Sequence, residues 1–362
     1  MNQPIYQTNP GDDANARLST LPDPPPWRRF DQKTTNAFEP DGFAVRMVNA
    51  AMILRRPLLV TGDPGCGKTS LAAHVAQQFN LPGPFRWSIT SRSVLQDGLY
   101  QYDALGRLNE IQIKNEERLR PKAATAGESP QKPEEESSED IGRYLRLGPV
   151  GMAFAVTQPK RPAVLLIDEF DKCDLDLPGD LLHLFEEGCF DIPELQRLSA
   201  DQASVMVMPC NSRREGCAYA HGGANEEERI PIIKGHIVCS GDFPLVIITS
   251  NGEREFPPAL LRRCLSLNVS PPSTAEGFGA IVARHFPGLF AKGGHDLIQV
   301  RKLIEDFAGR SQESIQSPDQ LLNLVNLALE QVDLNPGKDA KGGEVDFVKA
   351  VTPTLGIRQP VE

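Results

Sequence analysis

The sequence predicts an α/β fold, in which a parallel five-stranded sheet carries helices on both faces and precedes a small C-terminal α-helical lid domain. Short apolar runs of strand length alternate with helical patterns along most of the chain. A glycine-rich loop follows the first apolar run and leads directly into a segment of good helix formers. After Pro271 the strand patterns stop and only helical patterns remain. These three observations together favour an open sheet followed by a separate helical domain.

The five predicted strands are the apolar or alternating segments 58–60, 85–90, 163–168, 244–251 and 264–270. Because buried strands that alternate with helices are typical of parallel sheets, we expect both faces of this sheet to be covered. A helix is predicted over residues 42–54, where apolar residues recur at helical spacing.

The predicted lid contains the three helical patterns FGAIVARHF, LIQVRKLIEDFA and DQLLNLVNLALEQV. The third pattern begins with Ser317 as the N-cap and Pro318 at the first helical position. Gln320 is placed to return a hydrogen bond to the N-cap backbone. This local chemistry predicts a well-defined helix start.

The domain boundaries are predicted from shifts in composition. Two insertions are expected within the core: residues 115–140, rich in Glu, Pro, Ser and Lys, as a mobile segment, and residues 203–240, with alternating polar and apolar residues, as a protruding hairpin. Trp27 and Phe30 are candidates to dock the proline-rich N-terminus on the domain surface. The predicted segments are a proline-rich extension (1–38), an α/β core (39–270), the lid (271–334) and a C-terminal tail (335–362).

Composition and charge weigh against several classes of function. The chain has 362 residues and a formal net charge of -10, so it presents no general nucleic-acid surface. Its first residues show no basic segment followed by an apolar one, and its apolar runs are too short to span a membrane. We therefore expect a cytoplasmic protein that makes no membrane contact.

The seven cysteines form no CxxC pair, which favours reduced thiols. Cys210, Cys217 and His221 have two interpretations. They are either a metal site, although their spacing matches no standard zinc pattern, or small residues scattered in a loop.

The stretch GDPGCGKTS has the composition and spacing of a phosphate-binding loop. Its glycines allow successive backbone N–H groups to point at phosphates, at the positive end of the following helix. Lys68 is expected to reach the β and γ phosphates, and Thr69 to coordinate Mg²⁺. ATP and Mg²⁺ are therefore the predicted cofactors, and the residues predicted to bind them in this loop are Gly62, Asp63, Pro64, Gly65, Cys66, Gly67, Lys68, Thr69 and Ser70.

Two later segments place polar residues at the ends of predicted strands. Asp168 and Glu169 end a buried strand, where Asp168 suits the Mg²⁺ shell and Glu169 suits the polarisation of a water molecule. Asn251 ends the next strand and is a candidate to orient that water, although asparagine after a strand is also common turn chemistry. Arg262 and Arg263 either form a solvated face or place a guanidinium on the γ phosphate of a neighbouring subunit.

In chain order, the motifs GDPGCGKT, SRSVLQDGLYQYDALGRL, VLLIDEFDK, LLHLFEEGCF and VIITSNGEREFPPALLRRC resemble the AAA+ ATPases, and more narrowly their MoxR-like branch, over about residues 38–334. The resemblance implies a P-loop NTPase fold and ATP hydrolysis. It implies that Lys68 and Thr69 are the Walker A pair, Asp168 and Glu169 the Walker B pair, and Asn251 the sensor 1 residue. Arg262 or Arg263 is then an arginine finger, acting across the interface of a hexameric homo-oligomer.

The resemblance also implies partners for the protein. MoxR-like proteins commonly act as chaperones alongside von Willebrand A-type proteins. The segments YDALGRL and GEREFPPALLRRC look like variants from bacterial conflict or defence gene clusters.

One position departs from the MoxR-like pattern, in which an arginine follows the Ser-Pro at the start of a lid helix and senses the γ phosphate. Asp319 and Gln320 occupy that stretch here, and Arg301 and Arg310 are candidates to substitute. There are also two interpretations of the group formed by Leu99, Tyr100 and Tyr102. These side chains either face a substrate or pack within the fold, and we expect them to be packed.

Three functions are therefore compared. The first is a ring-forming ATPase that remodels a partner protein. The second is a slow nucleotide-dependent switch or scaffold, favoured by the missing arginine and opposed by Glu169. The third is a DNA motor, opposed by the acidic charge of the chain.

Overall fold

The computed structural model of the chain contains two compact units. The larger unit comprises the described residues of 40–61 and 69–267, and the smaller unit comprises those of 1–39, 62–68 and 268–362. The structure describes residues 19, 21–28, 39–119, 138–198, 204–210, 229–239, 242–287, 289–292, 295–335, 337–338, 344–353 and 356–357.

The strands in chain order are β1 (Leu58–Thr61), β2 (Phe85–Ser88), β3 (Tyr100–Tyr102), β4 (Leu145–Leu147), β5 (Val164–Asp168), β6 (Cys189–Asp191), β7 (Ser204–Val207), β8 (Ile230–Ile233), β9 (His236–Val238), β10 (Leu245–Ser250), β11 (Leu265–Asn268), β12 (Ser314–Ile315), β13 (Gly337–Lys338), β14 (Glu344–Val345) and β15 (Gly356–Ile357).

The α-helices are α1 (Gly42–Leu54), α2 (Lys68–Gln78), α3 (Leu95–Leu99), α4 (Ala104–Leu119), α5 (Ser138–Arg143), α6 (Pro149–Val156), α7 (Leu177–Glu187), α8 (Pro193–Gln196), α9 (Pro258–Leu261), α10 (Ala275–His285), α11 (Leu289–Lys292), α12 (His295–Glu313), α13 (Pro318–Leu329) and α14 (Phe347–Val351). Short 3-10 helices cover Pro26–Arg28 and Phe170–Lys172.

A five-stranded sheet in the order β11-β1-β10-β5-β2 confirms the predicted fold class. β1 pairs with β10, β10 with β5, and β5 with β2, all in parallel. Every residue of the inner strands β5 and β10 is buried, as expected of a sheet covered on both faces. β2 lies at the edge of the sheet, and its residues alternate between buried and exposed. The carboxyl ends of β1, β5 and β10 therefore lie at one edge, where ligands bind in such sheets.

The segment predicted to be a protruding hairpin, residues 203–240, contains the predicted antiparallel pair, because β7 pairs with β8 from Ser204 with Ile233 to Val207 with Ile230. It also holds a further strand that was not predicted. Its run IPIIKGHIVCS contains two strands, β8 and β9, joined by a turn at Lys234 and Gly235. Together with β6 and β7 they form a four-stranded antiparallel sheet in the order β6-β9-β8-β7. Ile232 and Ile237 are buried in the core of the larger unit, so these strands pack rather than protrude. Residues 211–228 lie outside the described residues.

The segment predicted to be a mobile insertion, residues 115–140, is helical at both of its edges. α4 continues to Leu119 and α5 begins at Ser138. α4 is amphipathic and continues the helical pattern of YDALGRL, so composition placed the boundary too early. The remaining residues, 120–137, and the mobility predicted for them lie outside the described residues.

The lid helices α10, α12 and α13 match the three helical patterns in the sequence. They share an apolar core formed by Phe278, Val282, Val300, Ile304, Phe307, Ala308, Leu321, Leu322, Leu324 and Val325. The predicted start of α13 is confirmed, because Gln320 Oε1 accepts a hydrogen bond of 3.1 Å from the Ser317 backbone N–H.

The helical unit continues beyond Leu334, where the sequence predicts a tail. Val348 and Val351 of α14 pack against the lid core, and the Gln320 side chain donates to the Pro353 carbonyl at 2.9 Å. Trp27 contacts Phe286 edge-on with the ring centroids 5.8 Å apart, as its docking role predicts. Phe30 lies outside the described residues.

Replacement of Phe307 by alanine is expected to destabilise the lid by about 3–5 kcal/mol, because it empties a fully buried position. The centroids of the Phe307 and Phe278 rings are 5.2 Å apart, so the substitution also removes an aromatic pair. Denaturant unfolding followed by circular dichroism measures the effect. Ile298→Ala on the same helix is the control, since that side chain is 70% exposed and its loss is worth less than about 0.5 kcal/mol. Equal destabilisation by both variants would contradict the assigned core.

None of the helices in the described part of the chain combines the length and apolar character needed to cross a membrane. The described cysteines are free thiols. Cys217 and His221, two of the three residues of the metal-site interpretation, lie outside the described ranges.

Candidate functional site

The predicted phosphate loop connects the end of β1 to the first turn of α2. Gly62 and Gly65 have φ angles of 147° and 76°, which residues other than glycine rarely adopt. The backbone can therefore turn sharply between the strand and the helix. Lys68 begins α2, and its ammonium donates to the carbonyls of Gly62 at 2.7 Å and Asp63 at 2.9 Å. Lys68 is only 7% exposed, so the loop surrounds a fixed positive charge. Thr69 and Ser70 follow in the first turn of the helix.

Gly65 lies against the start of the lid helix α13, within the smaller unit. A β-carbon at this position would stand 1.8 Å from Ser317 Oγ and 2.9 Å from Asp319 Oδ1. Ser317 also donates a hydrogen bond to the Asp319 carboxylate. Ser317 therefore lies directly against the phosphate loop. Asp319, in the stretch where the MoxR-like pattern has an arginine, brings a negative charge close to it.

Cys66 occupies the centre of the loop. Burial raises the pKa of the Cys66 thiol above its ordinary value, so the sulfur remains protonated at neutral pH. Lys68 Nζ lies 4.0 Å from Cys66 Sγ. The protonated thiol adds no charge to the loop.

Asp168 lies at the end of β5 and collects donors from three elements of the larger unit. Its Oδ1 accepts hydrogen bonds from Thr69 Oγ1 at 3.0 Å and from Thr249 Oγ1 at 2.6 Å. Its Oδ2 pairs with the Arg86 guanidinium at 2.5 Å. Since the side chain of Asp168 is only 4% exposed, these contacts compensate a buried carboxylate.

The oxygen atoms of Thr69 and Asp168 suit Mg²⁺. Magnesium prefers hard oxygen ligands, and proteins hold it with one or two carboxylates together with substrate phosphates. No cluster of three His, Cys, Asp or Glu side chains able to hold a metal ion occurs in the described ranges. One carboxylate beside one hydroxyl is the donor set expected for a cation that binds together with a nucleotide.

Glu169 follows Asp168 with a left-handed backbone, at a φ of 59°. Its backbone N–H donates to Thr249 Oγ1 at 3.0 Å, while its carboxylate pairs with Lys172 at 2.8 Å. The hydrogen bond to Glu169 raises the pKa of Lys172, so the ammonium stays charged at neutral pH. Both side chains are nearly half exposed, and such surface pairs contribute only about 0–1 kcal/mol. The Glu169 carboxylate is therefore accessible.

Asn251 follows β10, and its position is set by Asp171. Asp171 Oδ2 accepts from the backbone N–H groups of Asn251 at 3.0 Å and Glu253 at 3.3 Å. Asp171 is 6% exposed. This contact holds the segment after β10 against the segment after β5, and so fixes the backbone of Asn251 next to Asp171.

Arg262 and Arg263 follow the short helix α9. Arg263 forms an ion pair with Glu186 of α7. The side chain of Arg262 is exposed and makes no hydrogen bond or ion pair within the described part of the chain. The structure thus distinguishes two residues that the sequence left equivalent.

Tyr100 and Leu99 are buried, and the Tyr100 hydroxyl donates to Glu194 at 2.9 Å. Burial, with the Glu194 hydrogen bond, raises the pKa of Tyr100 to about 12. These contacts favour the packed interpretation. In the lid, Arg310 donates to Thr352 Oγ1 at 3.2 Å, while Arg301 is exposed on the same helix.

Arg86, Thr249 and Asp171 belong to the site, although sequence reasoning assigned them no role. Thr249 lies inside the motif VIITSNGEREFPPALLRRC, two residues before Asn251. Arg86 is a charged residue inside an otherwise apolar strand segment, which is a signal for a specific partner.

A phosphate loop after a buried strand, with an acidic pair at the end of another strand, defines the class of P-loop nucleotide-binding domains. Residues 57–264 match the model of the AAA domain, dynein-related subfamily. The match spans more than half of the chain, so the protein belongs to this family of ATPases.

A shorter similarity covers one segment of the chain. Over 79 residues, the chain is 35% identical to RuvB-like 2 from Caenorhabditis elegans. The match covers 21% of this chain and 17% of that protein, so the chain spans less than a fifth of the length of this curated relative.

Proposed function

We propose that this protein is an Mg²⁺-dependent, ATP-hydrolysing ATPase of the MoxR-like type that assembles into a ring and remodels or activates a partner protein. The observation that carries the proposal is the convergence on Asp168. Thr69, the residue after the loop lysine, donates directly to this carboxylate at 3.0 Å. The structure therefore links the two motifs on which nucleotide hydrolysis depends in P-loop ATPases.

Each residue of the proposed site has a role that follows from its contacts. Lys68 and the amides of its loop bind the β and γ phosphates, and Thr69 and Asp168 hold the metal ion. Glu169 polarises the attacking water once its weak contact with Lys172 opens. Asn251, positioned through Asp171, orients that water. Mg²⁺ supplies the neutralisation of charge on the phosphates.

The proposed assembly uses Arg262 as the finger that reaches a neighbouring subunit. Arg263 is engaged with Glu186, whereas the guanidinium of Arg262 is exposed. A second copy of the chain that presents Arg262 to the γ phosphate completes the site in trans. A closed ring satisfies this head-to-tail arrangement for every subunit, and a hexamer is the form that we propose.

The proposed partner is a protein of the von Willebrand A type or another effector, and the proposed setting is a bacterial conflict or defence system in the cytoplasm. The family resemblance of the motifs supports this part of the proposal. In this setting the ATPase acts as a chaperone for its partner.

A slow nucleotide-dependent switch is the second candidate, and Asp319 favours it. This exposed carboxylate stands at the start of α13, beside the phosphate loop, where the MoxR-like pattern has a positive charge. A negative charge there disfavours a closed lid over bound phosphate, which would slow turnover. Steady-state phosphate release separates the two functions, since a remodelling ATPase turns over many times and a switch about once per regulatory event.

Light scattering with the Glu169→Gln variant tests the assembly. This variant keeps the residues that bind nucleotide and lacks the carboxylate that polarises water, so ATP and Mg²⁺ are expected to hold it in a ring of about six copies. Glu305→Gln is the matched control, because this exposed lid residue makes no hydrogen bond or ion pair within the described part of the chain. A monomer that persists with ATP and Mg²⁺ would leave Arg262 without a target and would place the switch ahead.

A further inference from the structure

The Walker B aspartate has a positively charged partner that no assigned role explains. Arg86 Nη2 lies 2.5 Å from Asp168 Oδ2. The side chain of Asp168 is 4% exposed, whereas that of Arg86 is 54% exposed. A guanidinium on the solvent side thus covers one oxygen of a buried carboxylate that the proposed function assigns to a metal ion.

The sheet brings these two residues together. β2 is the edge strand beside β5, and Arg86 pairs in register with Leu166. Asp168 is two residues further along β5, so its side chain leaves the sheet on the same face as that of Arg86. Arg86 alternates with the buried residues Phe85 and Trp87, which anchor the strand. The guanidinium is therefore carried by a paired strand with buried neighbours, while more than half of its side chain is exposed to solvent.

Electrostatics favours the ion pair between Arg86 and Asp168 only while no metal ion is bound to the carboxylate. A buried carboxylate without a counter-charge is strongly unfavourable, so Asp168 requires a cation in the metal-free protein. Thr69 and Thr249 donate hydrogen bonds to the other carboxylate oxygen but contribute no charge. A divalent cation at the same carboxylate would repel the guanidinium.

We propose that Arg86 is the counter-ion of Asp168 in the metal-free state and releases Oδ2 when Mg²⁺ is bound with the nucleotide. Arg86 then competes with Mg²⁺ and sets the magnesium concentration at which the nucleotide site becomes loaded. The inference rests on the proposed function, since it concerns the same metal position.

The test is a magnesium titration of binding of the fluorescent nucleotide mant-ADP to the full-length protein. Arg86→Gln is expected to lower the half-saturating Mg²⁺ concentration by about tenfold, which corresponds to about 1.4 kcal/mol. The same variant is expected to melt at a lower temperature in EDTA and to regain most of that loss with Mg²⁺ and ADP, because the metal then supplies the missing charge.

Two further variants make the test specific. Arg92→Gln is the matched control, since this exposed arginine makes no side-chain hydrogen bond or ion pair within the described residues, and its midpoint should equal that of the wild type. Arg86→Lys keeps a charge but loses the planar fork, so its midpoint should fall between those of the wild type and Arg86→Gln. If Arg86→Gln does not fold, an Arg86→Lys midpoint below that of the wild type supports the inference.

The outcomes separate this inference from the function on which it rests. If the wild type binds mant-ADP and the Arg86 variants titrate with an unchanged or higher midpoint, the competition is wrong while the nucleotide site stands. If the wild type fails to bind mant-ADP at any magnesium concentration, the proposed function itself is wrong.

Discussion

Replacement of Lys68 by alanine is expected to reduce nucleotide affinity by about 100-fold or more and to abolish turnover. Its ammonium is nearly buried and is held within the loop by the carbonyls of Gly62 and Asp63, so the positive charge is fixed where we propose that the phosphates bind. The loss of one charge-assisted contact worth about 1.5–3 kcal/mol reduces the nucleotide affinity by a factor of roughly 10–150. No other lysine in the segment GDPGCGKTS can replace Lys68. Binding of mant-ATP and release of phosphate measure the two effects.

Glu169→Gln is the comparison for this experiment. It should bind mant-ATP with an affinity close to that of the wild type, because the role that we propose for Glu169 is to act on water rather than on phosphate. Thermal melting in the absence of nucleotide should show that both variants are folded. Equal losses of binding in Lys68→Ala and Glu169→Gln would refute the separate roles of these residues.

Replacement of Arg262 by alanine is expected to lower turnover by about 10³–10⁵-fold while leaving nucleotide affinity nearly unchanged, which is the effect of removing an arginine finger. Arg263→Ala should have a smaller effect, because it breaks a partly exposed ion pair with Glu186. Phosphate release at a protein concentration that supports assembly measures both variants.

A mixing experiment tests whether Arg262 acts in trans. Arg262→Ala keeps Glu169, and Glu169→Gln keeps Arg262, so each variant alone should be inactive. In mixed rings, a subunit with intact Glu169 receives Arg262 from its neighbour, and part of the activity should return. If mixing restores nothing although the two variants assemble together, Arg262 does not act across the interface.

The fold could be predicted largely from local patterns in the sequence. The buried strands are continuous apolar runs, and the start of α13 is determined by four consecutive residues, 317–320. Both features were therefore predicted correctly. The antiparallel pair within 203–240 was also predicted correctly. The turn at Lys234 and Gly235, which divides the run IPIIKGHIVCS into two strands, was not predicted. The short apolar pattern of α14 was too brief to reveal that it packs on the lid.

The candidate site was predicted only in part, because strand order is not local in the sequence. β5 lies between β10, which follows it by many residues, and β2, which precedes it by many. Thr249 and Arg86 therefore approach Asp168 from both sides without any fixed spacing to it. Motif reading finds groups that are adjacent along the chain, such as Asp168 and Glu169, whereas the sheet supplies the others.

The contact between Gly65 and the start of α13 links two positions that are distant in the sequence. Any side chain at position 65 would enter the space of Ser317 Oγ, so the residues at 65 and 317 cannot vary independently while α13 stays in place. The glycine is thus constrained twice, by the backbone turn of the loop and by the lid. Among related sequences, the composition of the phosphate loop and that of the first turn of α13 should consequently change together, as one unit of covariation.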